Sequence, residues 1–324
     1  MNIPKIIKAP IENEMKSFEG FFTKHLDSKV GLLKIITNYV LRSKGKQLRP
    51  ILVFLSARLN GEITENTHVA ACLIELLHTA TLLHDDVVDE TYRRRGFFSI
   101  NTLWRSKMAV LTGDYFLSTG LLVALKYKQI GILEVISEAV KEMSEGELIQ
   151  IEKTRRLDIT ENDYYDIIRK KTATLISACT KAGAYSVNAS DEQIEKMFLF
   201  GDYLGMAFQI RDDLLDYEKT NFTGKPSGND LKEKKITLPL IYLLNNSTKA
   251  EKNNILKTIW RHHDNERKII PIINKVKESG GIEYSRKEMA RFQNKAFEIL
   301  NTYPETEACN SMRELVSFIT ERNL

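Results

Sequence analysis

The 324 residues include 47 basic and 43 acidic side chains for a net charge of +4, 43% hydrophobic residues, 16 Gly, 7 Pro and 3 Cys. This mixture excludes a disordered chain, a collagen and a disulfide scaffold, and it is too evenly charged to point to nucleic acid or an anionic membrane surface. Cys72, Cys179 and Cys309 stand far apart, with no zinc or disulfide spacing, so a soluble chain in the reducing cytoplasm is expected.

The N-terminal MNIPKIIKAPIENEMKSF has no continuous apolar stretch and is read as no signal peptide. Breaks are expected at Gly45–Pro50 and Asn60–Gly61. From Glu65 to Glu90, Val69, Leu73, Leu76, Leu77 and Ala80 recur at three- and four-residue intervals, which predicts a buried helix. Proline is absent between Pro50 and Pro226, as packed helices require, since its ring clashes and its donor is missing. Further breaks are expected at Arg95–Gly96, Gly131, Leu157–Asp158, Thr220–Asp230 and Gly280–Gly281. Thr160 with Asp163, Ser190 with Gln193 and Ser285 with Glu288 are spaced as helix-opening capping boxes. No apolar run is read as long enough to span a membrane, and no repeat or flexible linker is evident. The expectation is all-α: a single domain over 1–324, with ten or more helices around a central cavity.

Two clusters carry the chemistry, Asp85-Asp86-Val87-Val88-Asp89 and Asp212-Asp213-Leu214-Leu215-Asp216. Both fit DDxxD inside apolar helical runs. Residues three and four apart share a helix face, roughly 5–6 Å apart at Cβ, so each cluster crowds carboxylates on one turn. That repulsion is relieved by divalent cations, and hard oxygen ligands from few side chains suit Mg²⁺ shared with phosphates. A single cluster would be read as a solvated helix face; two favour a bipartite metal site. Cations stand nearby in sequence: Lys46 and Arg49 at a helix start, Arg93, Arg94 and Arg95 after the first cluster, Lys171, and Lys225, Lys234 and Lys235 after the second. Together they describe sites for two anions, one bridged by metal and one gripped directly. Val87-Val88 and Leu214-Leu215 are expected to anchor the acidic helices in the core. Trp260 and His262-His263 are read as surface features without a role.

The segments GKQLRP at 45–50, ELLHTATLLHDDVVDE at 75–90, RRG at 94–96, GDY at 113–115, EGELIQ at 145–150, KTATLIS at 171–177, FQIRDDLLD at 208–216 and GKPSGNDLKEKKITLP at 224–239 occur in one order. In that order the chain resembles the trans-isoprenyl diphosphate synthases, the polyprenyl synthetase family, and its long-chain octaprenyl and heptaprenyl members in particular. The resemblance implies that Asp85, Asp86, Asp89, Asp212, Asp213 and Asp216 hold three Mg²⁺ ions on the allylic diphosphate. Arg94, Lys171, Lys225 and Lys235 match residues gripping that diphosphate. Lys46, Arg49, His78 and Arg95 match those binding isopentenyl diphosphate. Thr172 and Gln209, with Lys171, match positions beside the reacting carbons. The implied reaction is ionisation of the allylic diphosphate, condensation with isopentenyl diphosphate and elimination of a proton. It implies also a homodimer, and an oily product bound between helices is expected to leave slowly, aided by peripheral membrane contact. Two departures touch loop geometry: Lys44-Gly45-Lys46 stands where the family has Gly-Gly-Lys, and Lys234-Lys235 where it has Gly-Lys.

Short-chain members carry bulky aromatics four and five residues before the first cluster, where this chain has Thr81 and Ala80. A long-chain product is therefore expected, with the floor set deeper, near Leu73, Leu77 or the 113–130 helix. The bland reading is that small residues allow close helix packing. The alternatives are a short-chain farnesyl or geranylgeranyl synthase, a class I terpene cyclase, and a non-catalytic partner subunit. A di-iron reading rests on Glu75-x-x-His78 and Glu65-x-x-His68, but both fall on one predicted helix. His84-Asp85 lacks the companion histidines of a phosphohydrolase.

Overall fold

The computed structural model describes residues 3–42, 45–94, 96–218 and 228–321. The helices follow one another as α1 Lys5–Lys8, α2 Glu12–His25, α3 Gly31–Arg42, α4 Leu48–Asn60 and α5 Glu65–Val88. A short antiparallel ribbon comes next, β1 Arg93–Arg94 against β2 Phe97–Phe98. Then come α6 Ile100–Lys126, α7 Ile130–Arg156, α8 Glu161–Ile168, a π-helical turn Arg169–Ala173 and α9 Thr174–Ser186. α10 Asp191–Glu218, α11 Asn229–Lys232, α12 Leu238–Asn245, α13 Lys249–His262, α14 Glu266–Glu278, α15 Gly281–Leu300 and α16 Glu307–Thr320 complete it. The chain is all-α, as the missing alternation and the missing prolines require.

Contacts divide the chain into two compact units: Met1–Glu138 with Ala178–Phe198 and Tyr303–Leu315, and Ala139–Ser177 with Leu199–Thr302 and Val316–Leu324. In the first, α5 is buried along the face that its periodicity predicts, with Val69, Leu73, Leu76, Leu77 and Ala80 all at or below 3% exposure. Its partner is α6. A Cβ on Gly120 would stand 2.9 Å from Leu73 Cδ1, so glycine is what lets Leu73 seat against α6. Each such leucine contributes about 1.5–3 kcal/mol by leaving water. In the second unit the buried face of α10, Met206, Ile210, Leu214 and Tyr217, packs in one cluster with Leu238 and Ile241 of α12, Ile269 and Ile273 of α14 and Phe292 of α15.

Two of the expected caps are present. The backbone N–H of Asp163 donates to Thr160 Oγ1 at 3.2 Å and that of Thr160 donates to Asp163 Oδ2 at 2.9 Å. Ser190 and Gln193 make the same reciprocal pair at 3.3 and 3.0 Å. Three expectations need correction. Ser285 opens nothing: it lies one turn inside α15, and its hydroxyl donates to the Gly281 carbonyl at 2.8 Å. Val88 is 66% exposed and anchors no core, whereas Leu214 and Leu215 do. Finally, α6 is long and apolar enough by length and composition to cross a membrane, although Arg105 (φ 68°) breaks its regular geometry near the start. A single polar residue per turn hides that length from a search for unbroken apolar runs.

Candidate active site

In the second unit a cavity is lined by Lys171, Thr172, Gln209, Asp212, Asp213 and Lys235 among others. All six were singled out from sequence, and they come from three separate segments. The π-helical turn supplies Lys171 and Thr172. An extra residue per turn shifts their side chains relative to an α-helix, a distortion that recurs at functional sites. The turn lies hard against α10, where a Cβ on Gly205 would meet Ala173 Cα at 2.4 Å.

From that turn a chain of hydrogen bonds runs inward. Thr172 Oγ1 donates to Gln209 Oε1 at 2.7 Å, Gln209 Nε2 donates to Asp213 Oδ1 at 2.8 Å, and Tyr164 of α8 donates its hydroxyl proton to Asp213 Oδ2 at 2.7 Å. Every oxygen of the buried Asp213 is thereby addressed. Its carboxyl is nevertheless held well above the usual range, first by burial and then by the charge of Asp230, which the two donors only partly offset. Asp216, also buried, accepts the backbone N–H groups of Asn229 and Asp230 at 3.1 Å each, and so caps α11. Asp212 is exposed. Lys171 is paired with Glu147 and also reaches Gln150 Oε1 at 3.4 Å, and Lys235 is paired with Glu233. Lys225 lies outside the described residues.

In the first unit Asp85 and Asp89 are exposed at the end of α5, while Asp86 is buried and lines a cavity with Gly45, Gln47 and His78. Lys46, exposed, and Arg49 sit at the entry to α4, where Gln47 takes a left-handed conformation (φ 53°). Arg94 lies on β1 opposite Phe97, and Arg95 lies outside the described residues. Ala80 is 2% exposed within α5; Thr81 is half-buried, its hydroxyl donating to the His78 carbonyl at 2.9 Å. The histidines of the di-iron reading share α5, and His68 bonds Ser17 Oγ at 2.8 Å, so they form no facing pair.

Two residues of the second unit's cavity carry no sequence signal. Tyr164 belongs to no motif. Asp230 stands in the quoted segment 224–239, its carboxyl pushed up to about 7 by burial first and by Asp216 next, against the pull of Lys235. Among the described residues no three His, Cys, Asp or Glu side chains converge closely enough to hold a metal alone. The donors of each cluster do fit Mg²⁺ completed by a phosphate ligand: hard carboxylate oxygens, exposed at Asp85 and Asp89 in the first unit and at Asp212 in the second, where a cation would also relieve the buried like charges of Asp213 and Asp230.

A model of the polyprenyl synthetase family matches residues 30–276. The chain is 33% identical over 325 residues to the octaprenyl diphosphate synthase of Escherichia coli (strain K12), covering 100% of both. It is 31% identical to heptaprenyl diphosphate synthase component 2 of Geobacillus stearothermophilus, over 98% of this chain and 99% of that one. A decaprenyl diphosphate synthase of Rhodobacter capsulatus, known as a crystal structure, superposes with a TM-score of 0.91 at 31% identity, over 97% of this chain and 98% of the other.

Proposed function

The chain belongs to the polyprenyl synthetase family and is a polyprenyl diphosphate synthase, a prenyltransferase; from that premise we propose that it condenses isopentenyl diphosphate repeatedly onto an allylic diphosphate, farnesyl or geranylgeranyl, to give a long all-trans product. The observation that carries the reading is the convergence of Lys171, Thr172, Gln209, Asp213 and Lys235 on one cavity. The allylic C–O bond breaks and its electron pair leaves with the diphosphate, whose growing charge Lys171 and Lys235 stabilise. Mg²⁺, bound by the six motif aspartates, would supply further positive charge to that leaving group. The isopentenyl double bond, with its own diphosphate on Lys46, Arg49 and His78, attacks the allylic cation, and the released diphosphate takes the proton. The Thr172–Gln209 pair fixes the amide orientation beside the reacting carbons. The enzyme acts in the cytoplasm as a homodimer and hands its product to a membrane surface.

The long-chain assignment is supported by Thr81, which leaves the allylic side of α5 without an aromatic floor, and by the names of the relatives. Ala80 supports it less, because burial at 2% gives its small size a packing role. The test is product sizing after incubation with labelled isopentenyl diphosphate, farnesyl diphosphate and Mg²⁺. A narrow distribution in the heptaprenyl to nonaprenyl range is expected, shortened in Thr81→Phe. A short product from the native chain overturns the chain-length assignment alone. No elongation with any starter favours a partner-dependent subunit, the arrangement that the name of the Geobacillus relative suggests for that protein.

A further inference from the structure

The corner between α13 and α14 carries Trp260, His263 and Glu266, which the reaction as described does not use; His263 and Glu266 reach α11, and Trp260 reaches Lys234 just after it. The Nζ of Lys234 lies over the Trp260 ring, 4.7 Å from its centroid. His263 Nδ1 is 2.8 Å from the Lys232 carbonyl, and the Asp264 carboxylate lies 2.6 Å from the same nitrogen. Both neighbours are acceptors, so that nitrogen carries the donated proton. Lys232 Nζ bonds Glu266 at 2.8 Å. These contacts hold the outer end of a short, tightly specified piece of backbone. It opens at Gly228 (φ 85°), its first N–H groups are taken by Asp216, and it closes at Lys234, left-handed at φ 59°. The Lys235 N–H then donates to the Asp230 carbonyl at 2.7 Å.

The inner end of the same piece presents Asp230 and Lys235 to the cavity that holds Lys171, Asp212 and Asp213. One short turn therefore joins an outer grip to an inner end that lines the cavity. An exposed tryptophan (48%) on a charged helix is costly unless something uses its face, and here a lysine one residue before Lys235 does.

We propose that Trp260 and His263 are positioning residues for the allylic diphosphate, acting through α11 and Lys234 to set Lys235 and Asp230. The proposal rests on the assignment of that diphosphate to the second aspartate cluster. The test is calorimetric titration of the full chain with farnesyl thiolodiphosphate, an unreactive allylic probe, in Mg²⁺, together with the KM for isopentenyl diphosphate. Trp260→Leu should weaken the probe about fivefold, the scale of one lost cation–π contact. Its KM for isopentenyl diphosphate should stay within twofold, and Trp260→Phe should recover most of the loss. Lys234→Gln, at the half-buried partner of the contact, should weaken the probe to the same degree, and adding it to Trp260→Leu should change little more. His263→Ala should behave likewise and His263→Asn, which keeps a donor, should not. Native affinity in Trp260→Leu and Lys234→Gln overturns the proposal, as does an equal loss for both substrates. Failure of the native chain to bind the probe removes the underlying site assignment instead, a result distinguishable from failure in the variants alone.

Discussion

Asp213 shows how much one side chain is asked to do. It is buried, it accepts from Tyr164 and Gln209, and it stands near the like charges of Asp230 and Asp212. Without a cation, both Asp213 and Asp230 hold their protons more tightly in the fold than in the unfolded chain. The sign follows directly. Where the folded state binds more protons than the unfolded one, stability falls as pH rises. For Asp230 that window runs from the ordinary carboxylate range up to about 7. The metal-free chain, kept in chelator, should therefore melt at a higher temperature at about pH 5 than at about pH 8, and Mg²⁺ with inorganic diphosphate should raise the melting temperature chiefly at the higher pH. Asp230→Asn should flatten the metal-free slope. A melting temperature that rises with pH in chelator would contradict the burial of these carboxylates.

At the scale of elements, the π-helical turn Arg169–Ala173 is where local sequence and tertiary packing part company. Gly205 permits its approach to α10, since a Cβ there would need to pass within 2.4 Å of Ala173 Cα, which is backbone and cannot swing aside. Gly205→Ala should cost about 1–3 kcal/mol by overpacking, and by pushing Thr172 off Gln209 it should lower kcat more than it raises either KM; chemical denaturation and steady-state kinetics measure the two parts. The comparison explains what a single sequence discloses. The periodicity of α5 and the paired DDxxD clusters are local patterns, and they were legible. Ser285 shows the limit of such patterns: the Ser-x-x-Glu spacing is the same inside a helix as at its start, and α15 starts earlier, where Gly281 fits against the Pro239 carbonyl. Tyr164 and Asp230 join the site through bonds to residues far along the chain, so no spacing announces them. Val88 fails for a different reason, because the last turn of α5 passes out of the core that its earlier turns line.

For the whole molecule the question is what covers α6. One side seats against α5 at Gly120, yet only 39% of its most apolar stretch is buried, and Leu103, Val110, Leu111, Leu122 and Leu125 are 40–66% exposed. A membrane would cover them, but Asp114 on the same helix is exposed as well, and placing a carboxylate in hydrocarbon costs about 2.5–3.5 kcal/mol. A second copy of the chain would cover the leucines and could leave Asp114, 3.4 Å from His84, hydrated by water trapped at the interface. Exposed large apolar side chains gathered on one helix point to an association site. The native chain should therefore sediment at about twice 37.2 kDa without detergent, and Leu122→Glu with Leu125→Glu should shift it to 37.2 kDa. The substituted positions face outward, so the helical signal in circular dichroism should persist. A native chain that sediments at 37.2 kDa at micromolar concentration would remove the dimer and leave a membrane surface as the cover for the exposed face of α6.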